Sequence, residues 1–517
     1  MDNHLRLIWS KRLGLGSDEI EDDMNFFDLD GDSLRALQIV ADAAAQGILL
    51  NVEKLYTHPT IGALSPQVSY RHEQSTTPAR LSIDHQDASI ISYPKSLIPL
   101  AKSVAPVLRN QDWWIGLHES GKHPLCVYVY EIQGIVNEAA LMAALNVLSA
   151  KHATLRTTWA RTSTGYCQVL LPDAAAHFST TTVPVEDHIR QAKATILSPD
   201  DQIIRHTLVH DPRGFTYLTM AIPHAFTDSV SRSLLEQDLI RALKTPEEVR
   251  CDPVPPWLGA FARYRQATYS KEDESQYWRR YIEGASTELF YHKPSEAQGS
   301  GIVGHVVETV PVDSSHQVGI SAVIVTAWCL ALTRHSGLRD FGLVNLTMGR
   351  KGSTFPGIDH ILGPLAGSTL FRFRLEDTHC PIRSILRDVN RELISHGGHE
   401  FSPLAVPPAG VPTMQCLLNI KLGSRTVPPS KVGDMTVCPR RDLESWDFMF
   451  PTGVYLRAGP DPAGMCFRMT YQHRHIGDQQ AQSLFADFLH LLQHVGGEGY
   501  CVSQLVMAAN RSRQASI

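Results

Sequence analysis

Two places in the sequence combine residue types able to do covalent chemistry with patterns able to hold them. The first is Ser33 in FFDLDGDSLRALQIV, where Gly31 and Asp32 precede a run with helical spacing. A serine hydroxyl at a helix start can cap a free N–H of the first turn. The second is His224 in LTMAIPHAFTDSVSRSLLEQDL, at the junction of a strand pattern and a helix pattern, with Asp228 four residues on. Imidazole titrates near neutrality, so it suits removal of a proton from an amine or a hydroxyl. Taken by spacing alone, Ser33 is equally a plain N-cap and His224 a structural histidine at a strand end.

Three stretches of different character surround these residues. Residues 1–70 form a small unit: Leu5, Leu7, Ile8 and Leu13 recur at helical spacing and stop near Gly14. A second helix is expected over SLRALQIVADAAAQG, with Leu34, Leu37, Val40 and Ala41 on one stripe and Gly47 as its stop, and a short third helix follows Pro59. Residues 71–95 are polar with few regularly spaced apolar positions, the pattern of a linker. The remainder alternates helices and strands in two α/β halves, 96–268 and 269–510. Strands are expected at CVYVYEIQG, GYCQVLL, FTYLTMAIP, FGLVNLTMG, STLFRFRL and MCFRMTYQHR. Helices are expected at Val136–His152 with Asn137 as N-cap, at SVSRSLLEQDLIRALK, SQYWRRYIEG, SAVIVTAWCLALTRHSG and DQQAQSLFADFLHLLQHV. A cleft between two such halves is the default place for a site.

Composition narrows the function classes. With 43% hydrophobic and 19% charged residues over 517 positions, the chain can bury sizeable cores. A net charge of -6 and the absence of a Lys/Arg block of five or more exclude a nucleic-acid binder as the expected class. The apolar run AVIVTAWCLAL is too short to span a bilayer, and the first twenty residues lack the apolar core of a signal peptide, so no membrane partner is expected. The nine cysteines are scattered and show no C-x-x-C pair, which points to reduced thiols and a cytoplasmic setting. No H-E-x-x-H occurs, and the clusters His396/His399 and His473/His475 are expected to be structural, so no metal is assigned.

The surroundings of both residues carry a family resemblance. Residues 1–70 resemble the carrier (thiolation) domains of nonribosomal peptide synthetases through LGL near residue 13, the F-x-x-x-G-D-S-L pattern around Ser33 and LYTHPTIGAL at 55–64. The resemblance implies covalent 4′-phosphopantetheine on Ser33, installed by a phosphopantetheinyl transferase; Asp30 stands where the family usually has a further glycine. The large unit resembles condensation domains of the chloramphenicol-acetyltransferase-like fold. The blocks in order are KHATLRTTW, PHAFTDS, LGAFARYRQ with YWRRYIEG, VNLTMGRKG ending at Gly349-Arg350, and ILGPLAGSTLFRFRL. The implied architecture is a small all-α helical carrier domain followed by an α/β condensation domain of two such lobes. By the same resemblance His224 is the catalytic base, and Asp228 pairs with Arg350 to hold the loop as architecture. Pro223 replaces the first histidine of the family's pair, Ser229 the glycine after the aspartate, and Ser368-Thr369 the Asn-Thr of the later block. Loss of the first histidine, together with Ser231-Arg232, resembles fungal terminal and ester-forming condensation domains.

The expected reaction joins an acyl or peptidyl donor on the carrier arm to a small amine or alcohol acceptor, giving an amide or ester. An upstream synthetase or a loading enzyme would supply the donor. Met1 lies close to the first helix, which suits a stand-alone didomain and equally a fragment of a larger synthetase. The expectation leans to intermolecular transfer, with macrocyclising release as the alternative. A docking platform that has lost catalysis, and a transferase using free coenzyme A, are the readings from other classes.

Overall fold

The computed structural model describes most of residues 2–70, residues 90–92, and most of 101–505; outside it lie 1, 27–28, 30–34, 36–38, 41, 44–45, 47, 51–53, 56–57, 71–89, 93–100, 123, 173–175, 196–202, 269, 291–302, 312–318, 351–354, 397–413, 422–426, 445–452, 462, 497–499 and 506–517. Ser33, Leu34 and Leu37 fall outside the described residues.

In the small unit the first apolar stripe becomes the helix Asp2–Leu13, with Leu5, Ile8, Trp9 and Leu13 buried. The helix ends where Gly14 takes φ +74 and its N–H bonds back to Ser10 O at 2.9 Å, a conformation that costs a glycine little. Trp9 packs edge-on to Phe26 at 5.2 Å between centroids. Arg12 grips Asp42 with two bonds of 2.8 and 2.6 Å, tying this helix to the second helical segment, where Arg35, Ile39, Val40, Asp42 and Ala43 are helical. Thr60 caps the short helix Ile61–Leu64 by accepting from Ala63 N at 3.2 Å. One feature differs from the all-helical expectation. Ile48–Leu49 pairs antiparallel with Ser69–Tyr70, a two-residue ribbon too short to show alternation in the sequence.

The large unit is built on three sheets. The first has the order Ser430–Val432, Met435–Pro439, Leu125–Gly134, Thr216–Pro223, Arg205–His210, Phe178–Thr181. The second has the order Val303–Val310, Gly464–Gln472, Val454–Asp461, Cys416–Ile420, Asp340–Thr347, Gly367–Arg374. A smaller four-stranded sheet runs Ile90–Ser92, Thr157–Thr162, Gly165–Leu170, Ser103–Pro106. Two consequences revise the expected boundaries. The stretch 71–95 is not linker throughout, because Ile90–Ser92 pairs with Thr157–Thr162; two consecutive isoleucines are enough to add an edge strand. The halves also do not separate cleanly at 268. Two strands from the second half, Ser430–Val432 and Met435–Pro439, complete the first sheet, and Trp278, Ile282, Leu370 and Leu417 join the first core.

The expected helices form with small shifts at their ends. Glu138–Lys151 starts at Asn137, whose side chain accepts from Ala140 N at 3.0 Å. Ile320–Ser336 is apolar on every side and is buried accordingly, ending at Gly337 with φ +75. It packs with the closing helix Asp478–Val495 in a second core under the second sheet. No helix among the described residues is long and apolar enough to cross a membrane. All nine cysteines are free thiols.

Candidate active site

His224 stands at a point fixed from three sides. Thr216–Pro223 is a central strand, buried over nearly its full length and paired with Leu125–Gly134 and Arg205–His210. Pro223 is its last paired residue, opposite Leu125, where the missing N–H costs the ladder least. The next donor, His224 N, bonds Pro124 O at 2.9 Å, and the chain turns through the single 3-10 turn His224–Phe226 before Asp228 opens the helix Ser229–Lys244. A second helix, Arg109–Leu117, presses Trp114 flat on the imidazole: centroids are 4.1 Å apart and the planes 7° from parallel. Gln111 of that helix, fully buried, donates to Ala225 O at 3.1 Å, so the turn cannot rotate away from Trp114.

His224 as a residue is half-buried, its Nδ1 is buried, and its pKa falls to about 4. Burial is the main cause, and the charge of Lys421 adds to it; backbone hydrogen bonding and Asp228 pull the other way but lose. His224 is therefore neutral at pH 7, with a lone pair free of a proton. That is the state a base needs, at the cost of basicity relative to an imidazole titrating near 7.

Asp228 is spent on architecture. Its carboxylate takes five hydrogen bonds: from Arg350 Nη1 at 2.7 Å and Nη2 at 3.2 Å, from Ser231 N and Oγ at 2.8 Å each, and from Ala366 N at 3.1 Å. Burial alone would raise its pKa; the Arg350 charge and these donors outweigh it and hold Asp228 below the usual carboxylate range. Arg350 also donates to Ile361 O at 3.0 Å, and Ser231 Oγ accepts from Gly363 N at 2.9 Å. One buried cluster thus joins the helix after His224 to the loop 348–366 of the second half. Gly349 makes this possible. Its φ is +62, and a Cβ there would lie 1.6 Å from Leu365 O, so only glycine fits.

The remaining family blocks act as supports. Lys151 pairs with Asp238 at 2.9 Å and Asp252 at 2.7 Å, and His152 bonds Asp238 at 2.8 Å, which fixes the far half of the helix Ser229–Lys244. Thr154 Oγ1 donates to Leu362 O at 2.8 Å, reaching the same loop that carries Ala366. In the first turn of the helix, Arg232 lies over the Tyr128 ring at 4.8 Å, bonds Glu236 at 3.0 Å and pairs with Glu444. Ser229, in the family's glycine position, is the first helical residue and needs no unusual backbone. Ser368 sits opposite Leu346 in the second sheet and is buried. His396 Nδ1 and Tyr277 Oη share a hydrogen bond of 2.6 Å, and His473 stacks on Tyr471, so both serve local packing; His399 lies outside the described residues.

Trp114, Gln111 and Lys421 were not foreseen. The first two lie on a nine-residue helix about 110 positions before His224, too short for a clear period. Lys421 follows the strand Cys416–Ile420 and looks like an ordinary strand-end lysine.

Known proteins agree with this architecture. The family described as "Phosphopantetheine attachment site" matches residues 3–66, and "Condensation domain" matches residues 104–404. "Nonribosomal peptide synthetase 8" of Gibberella moniliformis is 28% identical, covering 96% of this chain and 98% of its own. "Nonribosomal peptide synthetase ALT12" of Alternaria alternata is 24% identical over 97% and 99%. Among solved structures, "The crystal structure of CT" aligns with TM-score 0.62 at 19% identity over 80% of this chain and 98% of that one. The X-domain from teicoplanin biosynthesis gives TM-score 0.62 at 16% identity over 80% and 98%. The sheets, the locked aspartate–arginine pair and these matches lead to one conclusion: the chain belongs to the condensation-domain family of nonribosomal peptide synthetases and carries an N-terminal phosphopantetheine carrier domain.

Proposed function

We propose that the condensation domain transfers an acyl group from the carrier arm to the hydroxyl or amine of a separate small acceptor, with His224 as base and Ser33 as the arm's attachment point. The observation that carries the reading is the neutral imidazole of the half-buried His224, stacked on Trp114 at a strand end beside the Asp228–Arg350 lock.

The carrier family takes covalent 4′-phosphopantetheine, which supplies a thiol that presents the acyl group as a thioester. The residues fit that attachment in kind: a hydroxyl two positions before helical Arg35, in a unit whose core packs the helix Asp2–Leu13 on Ile39 and Ala43. In the transfer His224 accepts the acceptor's proton as the new C–O or C–N bond forms, and returns it to sulfur as the C–S bond breaks. Such base assistance contributes about 10²–10⁴-fold. Trp114 holds the ring plane, and Gln111 holds the turn. Asp228 orients and stays ionised. Pro223 has no proton to offer, so a single imidazole does the acid–base work.

The retained lock and base speak against a docking platform. A phosphopantetheinyl transferase with labelled coenzyme A tests the carrier half. The wild-type chain should gain one arm and Ser33→Ala none; labelling of the alanine variant would move the attachment elsewhere, and an unlabelled wild type would favour free coenzyme A as donor.

A further inference from the structure

Lys421 is a cation facing the site that the transfer step does not use. Cys416–Ile420 is an inner strand of the second sheet, between Asp340–Thr347 and Val454–Asp461. Cys416 and Leu418 belong to the second core, whereas Leu417 belongs to the first, together with Val344, Leu346 and Tyr455 of neighbouring strands. Alternation puts Leu417, Asn419 and Lys421 on the face turned toward the first half. Lys421 continues the ladder, its N–H bonding Ala458 O at 2.9 Å, so its backbone is fixed. The ammonium is near enough to His224, Asp228, Arg232, Cys126 and Arg457 for the charges to act on one another.

The cluster has an excess of positive charge at this point. Asp228 is saturated by Arg350, Ser231 and Ala366, and Arg232 is matched by Glu236 and Glu444. Lys421 makes no side-chain hydrogen bond or ion pair among the described residues. It remains partly exposed, and burial with the nearby Arg457 charge draws its pKa down to about 8, so the charged form still prevails at neutral pH. Among the described residues no anion pairs with this half-buried ammonium, and a ligand carboxylate would supply one.

We infer that Lys421 is a specificity residue that binds a carboxylate carried by one of the two substrates, beside the bond being made at His224. The inference rests on the acyl-transfer reading of the site. The carboxylate belongs either to the acyl donor, beyond its thioester carbonyl, or to the acceptor; the chemistry is the same, and two pairs of probes separate them.

For the donor, the probes are amide analogues of butyryl- and succinyl-pantetheine, with NH in place of sulfur. For the acceptor, they are 3-hydroxypropionamide and 3-hydroxypropionate. Binding to the full chain is measured by calorimetry without turnover. In one pair the anionic member should bind the wild type about tenfold tighter than its neutral partner, the size of one charge-assisted contact. Lys421→Met should erase that preference while the neutral probe binds as before, and Lys421→Arg should keep most of it. The preference should fade above pH 8, where the amine loses its proton. Equal binding of both members in both pairs, or a loss in Lys421→Met that falls equally on neutral and anionic probes, overturns the inference. Failure of both pantetheine probes to bind at all would instead undo the acyl-transfer reading. Melting curves of Lys421→Met and Lys421→Arg exclude misfolding as the cause of a change.

Discussion

Of the three buried carboxylates on the helix Ser229–Lys244 and its N-cap, two have opposite fates. Asp228, its N-cap, is held below the usual carboxylate range, whereas Glu236, two turns on, is pushed up to about 7. Burial raises both. At Asp228 it is overcome by a bidentate arginine plus donors from Ser231 and Ala366. Glu236 has Arg232 at 3.0 Å, Arg441 at 2.7 Å and Tyr130 at 3.3 Å, yet Glu444 stands beside it as a competing negative charge on the same arginines. The lesson is that salt bridges alone do not fix a buried acid. Between these two positions, the backbone N–H donors on Asp228 and the like charge beside Glu236 make the difference. The two ends of the join between halves therefore differ: the end at His224 is locked at any working pH, and the end at Glu444 titrates.

The sharpest break of this comparison is Asp228→Ala. It strands a buried guanidinium and removes the helix cap, so the loss of stability should be about 3–5 kcal/mol, read by denaturant unfolding. Activity should fall with it. A variant that is inactive yet as stable as the wild type would show Asp228 acting chemically and not as architecture.

Glu236→Gln should have a smaller effect that depends on pH. A carboxylic acid whose folded pKa lies above its unfolded value of about 4.5 keeps its proton when the unfolded chain has lost it. Glu236 therefore makes stability fall as pH rises from about 4.5 to 7. His224 acts in the opposite sense: its folded pKa near 4 lies below the ordinary 6.5, so stability is lost as pH falls through that window. Glu236→Gln should flatten the first trend and leave the second; thermal midpoints from pH 4 to 8 in wild type and variant check it. An unchanged profile would mean that Glu236 is ionised like Asp228.

Much of this was legible in the sequence, for physical reasons that also mark where reading stops. Asp228 bonds Arg350 as the resemblance implied, and His224 and Asp228 lie where a strand, a turn and a helix in immediate succession leave the chain little freedom. Long segments of one period, such as Glu138–Lys151 and Ile320–Ser336, were equally plain. The strands Val454–Asp461 and Met435–Pro439 were not, since the first mixes Arg457, Gly459 and Pro460 with apolar residues and the second has only five positions. Each has one hairpin neighbour, but its other partner, Cys416–Ile420 or Leu125–Gly134, lies in another part of the chain, and Lys421 follows one of these distant strands. Trp114 was invisible for the same reason: stacking across 110 residues leaves no local signature. The position of Ser33 in space remains a matter of sequence, since it lies outside the described residues.

The central claim is that His224 carries the proton in acyl transfer while Ser33 carries the acyl group. Intact-mass measurement of single-turnover transfer from the acyl-loaded chain to a panel of alcohols and amines tests it directly, in wild type and His224→Ala. The account expects equal loading at Ser33, transfer slower by about 10²–10⁴-fold in the variant, and a wild-type rate that holds from neutral pH down to about 5 before falling toward pH 4. Transfer at the wild-type rate in His224→Ala would contradict it.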